Sequence, residues 1–232
     1  MKYLFSFTMA CCLLLSSCGE STSPDDNFST NARDFLFAGN VGTEIVLAVT
    51  RSEIDTNGVK TISPVDTLIW TIMERNVPHP VGGSAIRIRE ENRRGVDTIR
   101  YSLDSTYYAF YNDGIAYFSS LNTTNSEMII KNPLTVGAQY TNGDVGSGDN
   151  RALIVKSVGE IVNTSYKQMK TVRIESQDSS VSNSIIYKES MKYYFAPEVL
   201  VAHAERINER IYPSKKKRTQ MFVTDLVRYT KK

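Results

Sequence analysis

From Asp34 to the C-terminus, β-branched and aromatic positions alternate with polar ones, and turn residues interrupt the alternation about every ten positions. No segment of about 12 or more residues carries an apolar stripe at helical spacing, so the pattern predicts an all-β domain. Thr43 to Ile54 reads as the first long strand, turned by Asp55-Thr56-Asn57-Gly58, and the return from Val65 to Val77 holds the only tryptophan, Trp70. Pro78-His79-Pro80 and Gly82-Gly83 then break the chain. Ser84 to Glu90 sets Ile86 and Ile88 against Arg87 and Arg89. Beyond Asn92-Arg93-Arg94-Gly95 the next strand sets Ile99, Tyr101 and Leu103 against Thr98, Arg100 and Ser102, and the two are expected to pair. Tyr107 to Tyr111 and Ile115 to Ser119 flank Asn112-Asp113-Gly114, a hairpin signal. Met128 to Ile130 and Leu134 to Tyr140 are separated by Pro133, which suits a sheet edge. Thr141 to Asn150 reads as a loop, and strands are expected over 151–162, 166–175, 185–195, 199–207 and 220–229. Roughly a dozen strands are more than a flat sheet holds. The expected architecture is a strongly curved antiparallel sheet, an open or half barrel, with a two-sheet β-sandwich as the alternative.

The N-terminus breaks this pattern. Lys2 precedes an apolar run from Tyr3 to Leu15, shorter than the roughly 20 residues a bilayer-spanning helix needs, as in a secretory signal peptide. It ends in Leu15-Ser16-Ser17-Cys18, which resembles the lipobox of bacterial lipoproteins. That resemblance makes Cys18 the lipid attachment point, and Gly19 in place of Asp implies the outer membrane. Acyl chains bind membranes at about 0.8 kcal/mol per buried methylene, so two or more chains anchor the protein unaided. The expected division is a signal peptide over 1–18, a polar tether over 19–33 and one β domain over 34–232. Cleavage before Cys18 removes Cys11 and Cys12, which excludes disulfides and thiolate metal sites from the folded part. With Lys2 gone, 26 of the 27 basic residues face 25 acidic ones, a balance that gives nucleic acid no foothold.

Four separated stretches resemble three motifs of a broad group of β-rich bacterial cell-envelope lipoproteins. Gly39-Asn40-Val41-Gly42-Thr43-Glu44-Ile45 is similar to the group's Val-Gly entry into a long strand, and Asn132-Pro133-Leu134-Thr135-Val136-Gly137-Ala138-Gln139-Tyr140 repeats that pattern. Glu160 to Lys167 resembles its "Val-Pro-Ala-Gly-Thr-Phe" corner, and Tyr193-Tyr194-Phe195-Ala196-Pro197-Glu198-Val199-Leu200-Val201 its "Tyr-Tyr-Phe-Ala-Pro-Gly-Val-Gly-Leu-Val" turn. Thr164 and Glu198 stand where the group has glycine, and a further glycine is missing between Val199 and Leu200; glycine there would permit positive φ. The resemblance implies a curved antiparallel sheet and brings no catalytic residues.

Candidate chemistry is sparse. His79 and His203 are the only histidines, far apart in the chain, so neither a metal site nor a cofactor is expected. Without a free cysteine or a Gly-x-Ser-x-Gly elbow, no nucleophile stands out. Glu90-Glu91 and Asp25-Asp26 are adjacent carboxylates, and strand neighbours point to opposite faces. The loop Gly143 to Asn150 fits neither EF-hand nor phosphate-loop spacing. Two weak candidates remain. Tyr107, Tyr108, Phe110 and Tyr111, with Tyr117 and Phe118, form either a ligand-binding aromatic platform or a hairpin packed on both faces. Lys215, Lys216, Lys217 and Arg218 form a basic tip able to touch an anionic surface, or simply a solvated hairpin end.

These features predict a non-enzymatic, membrane-anchored lipoprotein that binds a protein partner or an apolar, lipid-like ligand on its sheet. The alternatives are a structural or adhesion spacer, which needs a filled core, and a carboxylate-based glycan or lipid hydrolase, which needs two carboxylates beside aromatics in a deep pocket.

Overall fold

The computed structural model describes residues 28–80, 83–94, 98–121, 126–145 and 150–232. Cys18, Asp25-Asp26 and the tether as far as residue 27 lie outside the described residues, as do Gly82, Gly95 and 146–149 of the expected loop.

The alternating pattern folds into thirteen strands of one antiparallel sheet: β1 (Glu44–Ile54), β2 (Lys60–Ile62), β3 (Asp66–Pro78), β4 (Ser84–Arg94), β5 (Thr98–Tyr111), β6 (Gly114–Phe118), β7 (Ser126–Lys131), β8 (Gln139–Thr141), β9 (Ala152–Asn163), β10 (Gln168–Ser182), β11 (Ile185–Ala196), β12 (Leu200–Ile211) and β13 (Lys217–Thr230). Their spatial order is β7-β6-β5-β4-β3-β1-β13-β12-β11-β10-β9-β8, with β2 attached to β1. Two six-strand meanders thus meet where β1 pairs β13. The sheet curls until it nearly closes into a barrel with one seam, between β7 and β8. At that seam the Tyr140 hydroxyl donates to the Ile129 carbonyl at 2.8 Å, and the 3-10 turn Asn142–Val145 packs against β7. A curled single sheet, and not a two-sheet sandwich, is therefore the form adopted.

The Val-Gly pattern builds the same turn twice. Gly42 N–H donates to Ile72 O and Ile72 N–H to Thr43 O, while Gly137 N–H donates to Val155 O and Val155 N–H to Ala138 O. Both glycines hold φ near +90°, at +86° and +89°, which a side chain would strain. Each meander therefore begins by hooking its entry turn onto a neighbouring strand.

Several strands differ from expectation. Tyr107 to Tyr111 is not a separate strand but the end of β5, whose first half is exposed, including Ile99, Tyr101 and Leu103. β10 runs seven residues past Glu175, to Ser182, and turns through Asn183-Ser184, both at positive φ, into β11. The polar run Gln177 to Ser182 conceals this strand, because it pairs with β11 beyond the packed core and buries nothing. Leu134 to Ala138 is no strand; only Gln139–Thr141 pairs there. In the "Tyr-Tyr-Phe-Ala-Pro" turn, Glu198 and Leu200 adopt φ of +71° and +65° although neither is glycine, so the left-handed geometry survives the substitutions.

The packed body also begins before residue 34. Asn31 Oδ1 accepts from Arg33 N–H and starts a 3-10 turn, Ala32–Phe35, in which Ala32 and Phe35 are fully buried. Phe28 packs edge-on against Phe35. Phe37 meets Trp70 and Tyr108 edge-on at 5.6 and 4.9 Å, while Ala38 N–H donates to Glu198 O. The segment joins the core that β1, β3, β4, β5 and β6 supply, including Ile45, Leu47, Ile72, Ile88 and Ile115.

Candidate functional site

The barrel is not filled. A cavity of about 560 Å³ lies inside it, within the range of small-molecule sites. One wall comes from β3 to β6 and is aromatic, with Trp70, Tyr108 and Tyr117 around Glu90. The facing wall comes from β9 to β12, with Leu153, Met191, Tyr193, Phe195 and Leu200. Glu127, Arg151 and Arg206 also line the cavity, and Glu127 and Arg206 are exposed.

Strand register explains the aromatic wall. Trp70 of β3 lies directly opposite Glu90 of β4, so the two share a face with their side chains in contact range. Tyr108 pairs Tyr117 across β5 and β6, ring centroids 5.5 Å apart, and Tyr108 lies 6.3 Å from Trp70. On the far wall Tyr193 stacks on Phe195 at 5.6 Å and donates to Met191 Sδ at 3.2 Å.

Electrostatics separate the charged groups. Burial pushes the Glu90 carboxyl up from its usual value, opposed by the nearby donors Thr106, Tyr108 and Trp70; among the described residues no cationic side chain acts on it. Burial first, and Glu90 second, raise the Tyr108 and Tyr117 phenols, so both stay protonated and neutral. The two arginines, by contrast, are both bound to one carboxylate: Glu189 takes Arg151 Nη1 at 2.9 Å and Arg206 Nε at 2.5 Å. Trp70 Nε1 lies near Glu90 but outside hydrogen-bond geometry, and Asn142 Oδ1, buried in the cavity wall, has no hydrogen-bond partner among the described residues.

Of the aromatic residues singled out in the sequence, Tyr108 and Tyr117 reach the cavity. Tyr107 pairs Phe118 on the other face of the hairpin, and His79 covers Phe118 with ring centroids 4.1 Å apart. Phe110 is half-buried under the Arg33 guanidinium, 4.2 Å from its ring, and half-buried Tyr111 pairs Gly114 at the turn. In the basic tip, Lys217 binds Glu209 at 2.6 Å and Arg218 forks onto Glu53, whereas Lys215 and Lys216 are exposed. His203 lies 3.3 Å from Asp225, whose other oxygen takes the Ser165 hydroxyl at 2.7 Å. The serine therefore bonds the carboxylate and clamps its turn, which is not a nucleophile–histidine pair. Among the described residues no three His, Cys, Asp or Glu side chains are grouped to hold a metal ion.

The sequence reading passed over Trp70, Tyr193, Arg151 and Arg206. It did separate Glu90 from Glu91: Glu90 faces the cavity, and Glu91 takes Arg89 and Arg93 on the opposite face, at 3.3 and 2.5 Å.

No protein-family model and no curated sequence matches the chain. Among solved structures it is similar to a protein from Bacteroides fragilis described as exported with a YmcC-like fold, at 13% identity and a TM-score of 0.48, covering 84% of this chain and 98% of that one. It is also similar to a protein from Parabacteroides distasonis described as a lipoprotein, at 11% identity and a TM-score of 0.41, covering 84% and 97%. At such identities neither likeness assigns an activity.

Proposed function

We propose that the protein is a cell-envelope lipoprotein, anchored at the outer membrane through Cys18, that binds a small, largely apolar ligand inside its barrel. The observation that carries this reading is the cavity of about 560 Å³ between an aromatic and an aliphatic wall. A spacer needs only a filled core, and a void that costs packing without a ligand is hard to retain. Cys18 has the lipobox context for acylation, and the chain past it has the length and core for an independent domain.

Native mass spectrometry of protein extracted from its own membrane tests the binding. An adduct of a few hundred daltons that Met191→Trp eliminates supports it; extracted protein that is uniformly ligand-free, with the cavity confirmed open by xenon uptake, contradicts it. Separately, Cys18→Ala is expected to move the protein out of the membrane fraction and to abolish incorporation of a fatty-acid label. Retention with the label intact refutes the anchor.

One observation favours a second reading. Glu90 and Glu127 line the same cavity beside Trp70, Tyr108 and Tyr117, and the Glu90 carboxyl is shifted up as a general acid's would be. Hydrolysis of envelope glycan by purified protein, lost in Glu90→Gln, would establish a hydrolase.

A further inference from the structure

Glu90 is the one cavity carboxylate on the aromatic wall, and it has no ion-pair partner among the described residues. Thr106 and Tyr108 supply it with donors, but among the described residues nothing supplies the opposite charge, and withdrawing a carboxylate from water without a cation is costly. Its surroundings are three rings, Trp70 across the β3–β4 pair, Tyr108 and Tyr117, whose faces attract a cation. The cavity's arginines present the opposite case. Arg151 and Arg206 are both already engaged by Glu189, so an anionic ligand would have to compete with a carboxylate of the chain itself. The buried, unpartnered Asn142 Oδ1 adds an acceptor to the wall, again suited to a ligand that brings N–H donors.

Resting on the reading of the barrel as a ligand-binding site, we propose that its ligand is an organic ammonium amphiphile, with the cationic end held by Glu90 among Trp70, Tyr108 and Tyr117 and the apolar part laid against Met191, Phe195 and Leu200. The facing wall offers aliphatic, thioether and ring surface at Met191, Phe195 and Leu200, as an alkyl or aryl body requires. The titratable groups that face Glu90 are Tyr101, Tyr108 and Tyr117, with Glu127 acting on Tyr108 and Tyr117 as well. The three phenols are shifted up and stay neutral, so acidification changes the site by protonating carboxylates. Ammonium binding therefore weakens as pH falls through the raised pKa of Glu90.

The single tryptophan lies in this wall and reports on it directly. The full mature chain carrying Cys18→Ser, which needs no detergent, is titrated with octylammonium, 1-octanol and octanoate while Trp70 emission is followed. Octylammonium is expected to bind about tenfold more tightly than 1-octanol and octanoate more weakly than either. Glu90→Gln is expected to erase the ammonium advantage over 1-octanol and its pH dependence, with an unchanged far-ultraviolet circular dichroism spectrum showing that the variant is folded. Tyr117→Leu, at a half-exposed position, is expected to reduce the advantage without abolishing it. If 1-octanol or octanoate binds as tightly as octylammonium, the ammonium assignment is wrong and the cavity reading stands. If none of the three gives a saturable change, the cavity reading falls, and this inference with it.

Discussion

Single carboxylates behave oppositely according to what surrounds them. Glu53, partly exposed on β1, accepts from Arg218 Nε and Nη2 at 2.8 Å each and from Gln220 Nε2 at 2.9 Å. The Arg218 bonds first, then Gln220, lower its pKa from 4.5 to about 2. Because the folded value lies below the unfolded one, the stabilisation from Glu53 is fully present above pH 4.5. It is lost as the pH falls from there through about 2. Arg218→Ala is expected to return the Glu53 carboxyl towards 4.5 in a carbon-13 NMR titration; an unmoved titration would mean that the fork is not made in solution. The pairing also explains why a run of four basic residues is not four free charges. Composition reveals the run, but Glu53 and Arg218 are 165 positions apart and meet only because β1 lies beside β13. Glu90 was legible as strand and as inward or outward by alternation; that inward means a cavity was not.

At the scale of elements, turns were the most readable features and strand lengths the least. Asn112-Asp113 turns β5 into β6 with both residues at positive φ, as the dipeptide suggested, but Gly114 is needed for another reason. A Cβ there would fall inside van der Waals contact of the Ile130 carbonyl and press on Met128 Sδ at 2.7 Å, on the neighbouring strand β7. Gly114→Ala is therefore expected to cost about 1–3 kcal/mol in urea unfolding, through displacement of β7. A neutral result would show that β7 shifts freely. Strand ends escaped the sequence because local alternation records burial, whereas Gln177 to Ser182 owes its strand to hydrogen bonds with β11 alone. Polar residues paired beyond the core leave no hydrophobic signal.

For the molecule as a whole, closure depends on what the N-terminal segment brings. Phe37, 2% exposed, braces Trp70 and Tyr108 edge-on, and these rings form one wall of the cavity. Phe37→Ala is expected to destabilise the fold by about 3–5 kcal/mol and to red-shift Trp70 emission as water reaches the ring. Unchanged emission would show that Phe37 does not shield the cavity wall.

The order of apolar and polar residues was enough to predict an all-β antiparallel fold, with a two-sheet sandwich still open beside the curved sheet, because side-chain alternation and turn preference are local properties that each short stretch expresses alone. It also marked the two Val-Gly turns, whose left-handed glycines impose the same geometry wherever they occur. Only the tertiary structure decided that the sheet curls into a nearly closed barrel, that Tyr107 and Tyr108 part to opposite faces with only the latter on a cavity, and that Glu90 stands among rings with no cation beside it. Those outcomes depend on which strands become neighbours and how far the sheet curls, quantities summed over the whole chain that no single segment carries.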